Sequence, residues 1–152
     1  MHRTIRLTVM LAGVSLFLIN PDAVLAHCQV PCGIYDDYAR LQSMREDAVT
    51  VEKAITMIND LAGKRDAQSQ NQLVRWVMNK EKHAQMIIET IGDYYLTQRV
   101  KTSQKDYAKR LELHHAVILA AMKAKQSTDN QAAQALRESV EGLAGYYPEH
   151  TH

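Results

Sequence analysis

Little in this sequence argues for a strand-rich or nucleic-acid-binding protein. It holds two cysteines, three prolines and six glycines in 152 residues. Two of the prolines and two of the glycines fall within the first 33 positions, so the remaining chain is nearly free of residues that break helices. Aromatics are scarce too: one tryptophan, one phenylalanine and seven tyrosines. A core must therefore rest mainly on Ala, Leu, Ile, Val and Met, within a hydrophobic content of 46%. The length fits one domain. A formal charge of +1 gives no reason to expect nucleic acid. Beyond the N-terminus no apolar window approaches the roughly 18 residues of a membrane span. Repeats and low-complexity runs are absent.

What is present begins with a leader. His2, Arg3 and Arg6 form a charged opening, LTVMLAGVSLFLI an apolar core, and Val24-Leu25-Ala26 a small-residue cleavage site. This reads as a secretory signal cut between Ala26 and His27, with residues 1–26 removed by a processing peptidase. Asn20-Pro21-Asp22 and the shortness of the apolar run speak against an uncleaved anchor, so no membrane association is expected after cleavage. Removal takes Arg3, Arg6 and Asp22, which turns 18 basic and 17 acidic residues into 16 of each.

The rest of the chain reads as four helices. Asp36 or Asp37 can cap the first, whose apolar positions Leu41, Met44, Ala48, Val51, Ile55, Ile58 and Ala62 recur at three or four, with Gly63 as a stop. A second begins within DAQSQNQ and carries Leu73, Val77, Ala84, Ile87, Ile91 and Tyr94, interrupted on that face by Lys80. A third runs from about Lys105 to Gln126 with Tyr107, Leu111, His114, Ile118 and Ala121 on one stripe. The fourth starts near Asp129 and carries Ala132 or Ala133, Leu136, Val140 and Leu143 before Gly145 and Pro148. Four amphipathic helices with short polar connections pack most simply as an antiparallel four-helix bundle, so the expected fold is all-α.

Both cysteines lie in HCQVPC, residues 27–32, where the leader ends. From spacing alone the simplest reading is one small disulfide in an exported protein. Cleavage before His27 offers a second. It frees an α-amine beside an imidazole, a backbone amide and two thiols. The amine of His27 with the amide nitrogen and sulfur of Cys28 closes two adjacent five-membered chelate rings, and Cys32 supplies a fourth donor. Two nitrogens and two sulfurs in one plane suit nickel(II) or copper(II) rather than tetrahedral zinc. Pro31, between the thiols, turns the chain sharply if its peptide bond is cis and leaves an extended tail if trans. Gly33 permits a tight exit.

The run HCQVPCGIYD resembles the nickel hook of nickel-containing superoxide dismutases, and NKEKHAQ is a weaker local echo. The resemblance implies a hook over residues 27–35 ahead of a bundle over residues 36–152, one nickel ion per subunit, and a homohexamer of such bundles. It implies that His27 gives its amine as an equatorial ligand and its imidazole as an axial one in the oxidised state. Cys28 would give amide nitrogen and thiolate, and Cys32 the second thiolate. Tyr35 would order solvent and limit access at the open face of the metal, and Pro31 would turn the loop. The activity implied is disproportionation of superoxide anion to dioxygen and hydrogen peroxide through Ni(II)/Ni(III) cycling. The better-known members hold the axial imidazole with a glutamate on the first helix and an arginine on the second; Gln42 and His83 fall near those places. Gln29 stands where the family often has an acid. The leader points to export, to a periplasm or its equivalent; the alternative is a cytoplasmic protein with a cleaved propeptide.

The rival to an enzyme is a non-enzymatic exported helical protein with a Cys28-Cys32 disulfide, or a metal carrier. His114-His115 and the terminal His-Thr-His are expected to be ordinary core or solvent residues. Trp76, Tyr94, Tyr95 and Tyr107 read as packing or subunit contacts rather than a redox relay.

Overall fold

The computed structural model describes residues 34–149. Four α-helices lie among them: α1 (Asp37–Leu61), α2 (Ala67–Glu89), α3 (Tyr107–Gln126) and α4 (Asn130–Glu141). Helix α2 runs on without a break into a π-helical segment, Thr90–Arg99, and a single 3₁₀ turn, Ala144–Tyr146, follows α4. Three starts are fixed by aspartate. Asp36 accepts a hydrogen bond from the Ala39 amide at 2.8 Å, Asp66 from Ser69 at 2.9 Å and Asp129 from Gln131 at 2.9 Å, each satisfying a donor that a helix N-terminus leaves free.

Contacts run from α1 to α2, α2 to α3, α3 to α4 and α4 back to α1, the cycle of an antiparallel four-helix bundle. The core is one cluster. It takes Leu41, Met44, Ala48, Val51 and Ile55 from α1, Ala84 and Ile87 from α2, Val117, Ala121 and Ala124 from α3, and Ala133, Leu136 and Val140 from α4. Ile91, Tyr94, Tyr95, Leu143 and Tyr147 close one end. The abundance of alanine lets the helices approach closely, which is how so few aromatics suffice.

The expected stripes hold for α1 and α4, with one exchange: Ala62 is exposed and Leu61 is buried in its place. On α2, Leu73 and Val77 lie outside the core, and Val77 is 39% exposed. The reason is the length of the neighbour. The buried Lys80 ammonium donates to the carbonyls of Lys125 and Ser127, the latter at 3.1 Å, so α3 ends level with Lys80 and earlier α2 residues have no α3 to pack on. Lys80 thus interrupts the apolar stripe in order to satisfy free carbonyls and complement the negative end of α3. On α3 the buried line runs through His114, Val117, Ala121 and Ala124, leaving Leu111 exposed and Ile118 half-buried.

Candidate metal centre

His27, Cys28, Pro31, Cys32 and Gly33 lie outside the described residues, as do the leader, His150 and His152. What the structure defines is the end of the bundle to which the 27–32 segment is joined. Cys32 precedes Tyr35 by three residues, a span of at most ~11 Å of chain.

Tyr35 sits just ahead of α1, 40% exposed, and is held from three sides. Its carbonyl accepts a hydrogen bond from the Tyr94 hydroxyl at 3.0 Å. Its ring packs on that of Tyr94 with centroids 5.9 Å apart. The Arg40 guanidinium lies 4.9 Å from the centre of the same ring, a cation–π distance. The Arg40 Nε is buried with no hydrogen-bond partner among the described residues.

Behind Tyr35 stands a knot of charge and hydroxyl. Asp37, the first residue of α1, accepts from Arg99 Nε at 2.6 Å and from the Tyr94 hydroxyl, while Arg99 Nη2 donates to that hydroxyl at 2.9 Å. The Tyr95 hydroxyl donates to the Asp37 carbonyl at 2.7 Å. Burial, followed by the adjoining Asp37 carboxylate, pushes the Tyr94 phenol up to about 12, so it stays protonated and remains a donor. The π-helical turn makes this possible. Its i→i+5 bonding, seen where the Val100 amide reaches the Tyr95 carbonyl at 3.0 Å, brings Tyr94 and Arg99 onto one face.

The two residues read as supports for the imidazole have partners of their own. Gln42 donates to the Tyr38 hydroxyl at 2.8 Å and accepts from Arg45 at 2.9 Å. His83 Nδ1 pairs with Asp47 Oδ1 at 2.7 Å. Asp47 follows Asp37 by ten residues, or ~15 Å along α1, so His83 lies deeper in the bundle than Gln42. Burial raises the Asp47 carboxyl above its ordinary value, with the His83 hydrogen bond pulling the other way. Among the described residues no group of three or more His, Cys, Asp or Glu is gathered to hold a metal ion, and no helix is long and apolar enough to cross a membrane.

Of the histidine pair on α3 one member is in the core and the other is at the surface, as their spacing implied. His114 is buried and bonded at both nitrogens, to the Arg110 carbonyl at 2.7 Å and the Tyr147 hydroxyl at 2.8 Å, while His115 is exposed. Tyr94 and Tyr95 are core; Trp76 and Tyr107 are half-buried. Sequence reasoning missed Arg99, because a 3.6-residue period puts it off the Tyr94 face. It also credited Asp37 only as a possible cap, which the neighbouring Asp36 provides.

A helical-bundle metalloprotein, with its candidate donors on a short segment ahead of the first helix, is the class that fold and sequence together define. The model of one such family, the nickel-containing superoxide dismutases, matches residues 22–151, and the chain belongs to that family. It is an oxidoreductase acting on superoxide, with nickel as its cofactor. No curated protein and no solved structure gives a significant match.

Proposed function

We propose that dismutation takes place at a hook made by processing, in which the His27 amine, the Cys28 amide and thiolate and the Cys32 thiolate hold one nickel ion per subunit. The observation that carries this is the donor set itself. Anionic sulfurs and an amidate favour a planar nickel site and make its higher oxidation state accessible, which carboxylates and imidazoles of the bundle would not do. Nickel held there supplies one-electron chemistry between Ni(II) and Ni(III), with dioxygen and hydrogen peroxide as products.

The chain's own residues set the conditions around it. Tyr35 orders solvent and narrows access, and the Asp37-Arg99-Tyr94 knot fixes its backbone through the Tyr35 carbonyl. Arg40, charged and lying over the Tyr35 ring, contributes positive potential where a small anion approaches. Gln42 and His83 are the candidates to hold the His27 imidazole, Gln42 from the helix that follows the hook directly. Such outer partners orient a ligating histidine and raise its basicity.

Residues 1–26 act as the export leader, which places the mature chain in the periplasm or its equivalent; a cytoplasmic propeptide is the alternative that cell fractionation would reveal. A homohexamer is supported by two exposed apolar stripes, Val74, Val77 and Met78 on α2 and Leu111, Leu119 and Met122 on α3. Light scattering of the processed protein gives the oligomer directly.

The deciding experiment is nickel content measured together with the N-terminal residue on natively processed protein. The reading expects His27 at the terminus and one nickel per chain. Retention of Ala26, or cysteines two hydrogens short with no nickel bound, overturns it. A protein that holds nickel yet leaves superoxide decay unchanged is a carrier.

A further inference from the structure

Five of the seven tyrosines of this chain form one line. From the hook end inward, the ring centroids of Tyr35 and Tyr94 are 5.9 Å apart, those of Tyr94 and Tyr95 5.1 Å, Tyr95 and Tyr147 4.4 Å, and Tyr147 and Tyr146 6.4 Å. The line enters at an exposed ring, passes through three buried ones and leaves at the half-buried Tyr146. The one phenylalanine of the sequence lies in the leader, so every six-membered ring of this core cluster carries a hydroxyl. A buried hydroxyl costs free energy unless it is bonded, and packing alone would be served by phenylalanine.

The partners of those hydroxyls are unequal. The Tyr94 hydroxyl meets the Asp37 carboxylate. Tyr147 donates to His114 Nε2 at 2.8 Å, because His114 Nδ1 must carry its proton to bond the Arg110 carbonyl. Both acceptors are bases able to take a phenolic proton. Tyr95 donates only to the Asp37 carbonyl, which is not a base. Arg110, 4.2 Å from the centre of the Tyr146 ring, is balanced by Asp106 at 2.9 Å.

We propose that these five tyrosines carry one-electron oxidising equivalents away from the hook to Tyr146, at the far side of the aromatic cluster. The proposal rests on the hook as the place where peroxide forms, and the oxidant it names is a hydroxyl radical, formed with hydroxide and dioxygen when one superoxide, the substrate of the established activity, gives its electron to that peroxide. The radical takes a hydrogen atom from the Tyr35 phenol and becomes water. Tyr94 then gives an electron to Tyr35, which recovers a proton from solvent, and the Tyr94 proton passes to Asp37. Tyr147 reduces Tyr94 across Tyr95, which bridges the electron without holding the radical; Tyr94 regains its proton from Asp37, and the Tyr147 proton moves to His114. Finally Tyr146 reduces Tyr147, His114 returns the proton, and Tyr146 loses its own to solvent. One radical is consumed and one hydrogen atom leaves Tyr146, so the oxidation is carried from the thiolates to a residue that external reductants can repair.

The test needs no nickel. Cys28 and Cys32 are the only thiols of the chain, so in a Cys28→Ser protein a thiol-reactive ruthenium polypyridyl labels Cys32 alone. A flash with a soluble quencher generates the oxidant at the hook, a nitroso spin trap captures tyrosyl radicals, and mass spectrometry locates the adducts. The expected result is an adduct at Tyr146 that is lost several-fold in Tyr147→Phe and in Tyr94→Phe while the Tyr35 adduct grows, with circular dichroism showing both variants folded. A Tyr146 yield unchanged in both variants, or no adduct beyond Tyr35 in the parent, overturns the proposal. Failure of the nickel reading would appear in metal content instead and would leave this measurement untouched.

Discussion

The two ends of the bundle are made of the same four helices and bury different things. At the end away from the hook the core is aliphatic and small, with Val51, Ala54, Ile55, Ile58, Ala124 and Ala132 buried, and its buried charge, Lys80, completes the backbone of α3. At the hook end the same depth is filled by Tyr94, Tyr95, Tyr147 and His114 around a half-buried Asp37. There the polar groups reach beyond helix ends: they fasten the segment at Tyr35 to the bundle. Polar burial at one end is explained by the fold alone. At the other it ties down Tyr35, a residue ahead of the first helix.

The largest effect expected separates hook from bundle altogether. Cys28→Ser or Cys32→Ser should abolish nickel binding and dismutase activity while far-ultraviolet circular dichroism and the melting temperature stay close to the parent's, since the helices begin at Asp37 and the core cluster at Leu41. Activity retained in either variant, measured as superoxide decay, would count decisively against the hook.

At the aliphatic positions the reverse is expected. Leu136 is fully buried in the middle of the core, and Leu136→Ala should lower unfolding free energy by about 2–5 kcal/mol through lost transfer energy and the cavity left behind. Urea denaturation measures this. Nickel bound per folded chain should not change, and a selective loss of nickel would erase the distinction between the two ends.

Asp37→Ala sharpens the boundary between them. It removes the acceptor shared by Arg99 and Tyr94, at an expected stability loss of about 1–3 kcal/mol for the groups left unpaired. Because those groups pin Tyr35, near-ultraviolet circular dichroism of the tyrosines and dismutase activity should fall together, out of proportion to the modest loss of stability. A drop in stability with tyrosine ellipticity and activity intact would mean that the knot only packs.

Much of this was readable in the sequence, and the unreadable parts share a cause. The stripes of α1 and α4 follow from 3.6-residue periodicity because both helices pack along their full length. The early stripe of α2 misleads, since Leu73 and Val77 repeat as core residues do and no local signal says that α3 stops level with Lys80. The π-helical segment was invisible for a related reason: Arg99 joins Tyr94 only when the turn widens to i→i+5 bonding, and nothing in TIGDYYLTQR announces that. Asp37 looked like a cap because a cap needs only its neighbours, whereas its actual partners lie 57 and 62 positions away. The proposed hook is of another kind: it stands on chemistry and resemblance alone, since two thiols beside an amine freed by processing would define a donor set without any tertiary information, and residues 27–33 lie outside those described.

The smallest effect expected concerns His114, where the hook end pays for its polar core. Burial holds its imidazole below the ordinary value, ahead of any other influence, and both nitrogens are engaged with the ring neutral. In the unfolded chain the same group titrates near pH ~6.5. Below that value the unfolded state binds a proton that the folded state refuses, so stability must fall as pH decreases, until the folded group itself titrates. Arg110 on the same helix opposes protonation as well, while Tyr95 and Tyr147, packed against the ring, stay neutral throughout this range because burial raises both phenols. Urea denaturation between about pH 7.5 and 5.5 should therefore show a loss of stability that is smaller in His114→Gln, which has no proton to gain. An equal slope in parent and variant would show that the acid sensitivity arises away from His114.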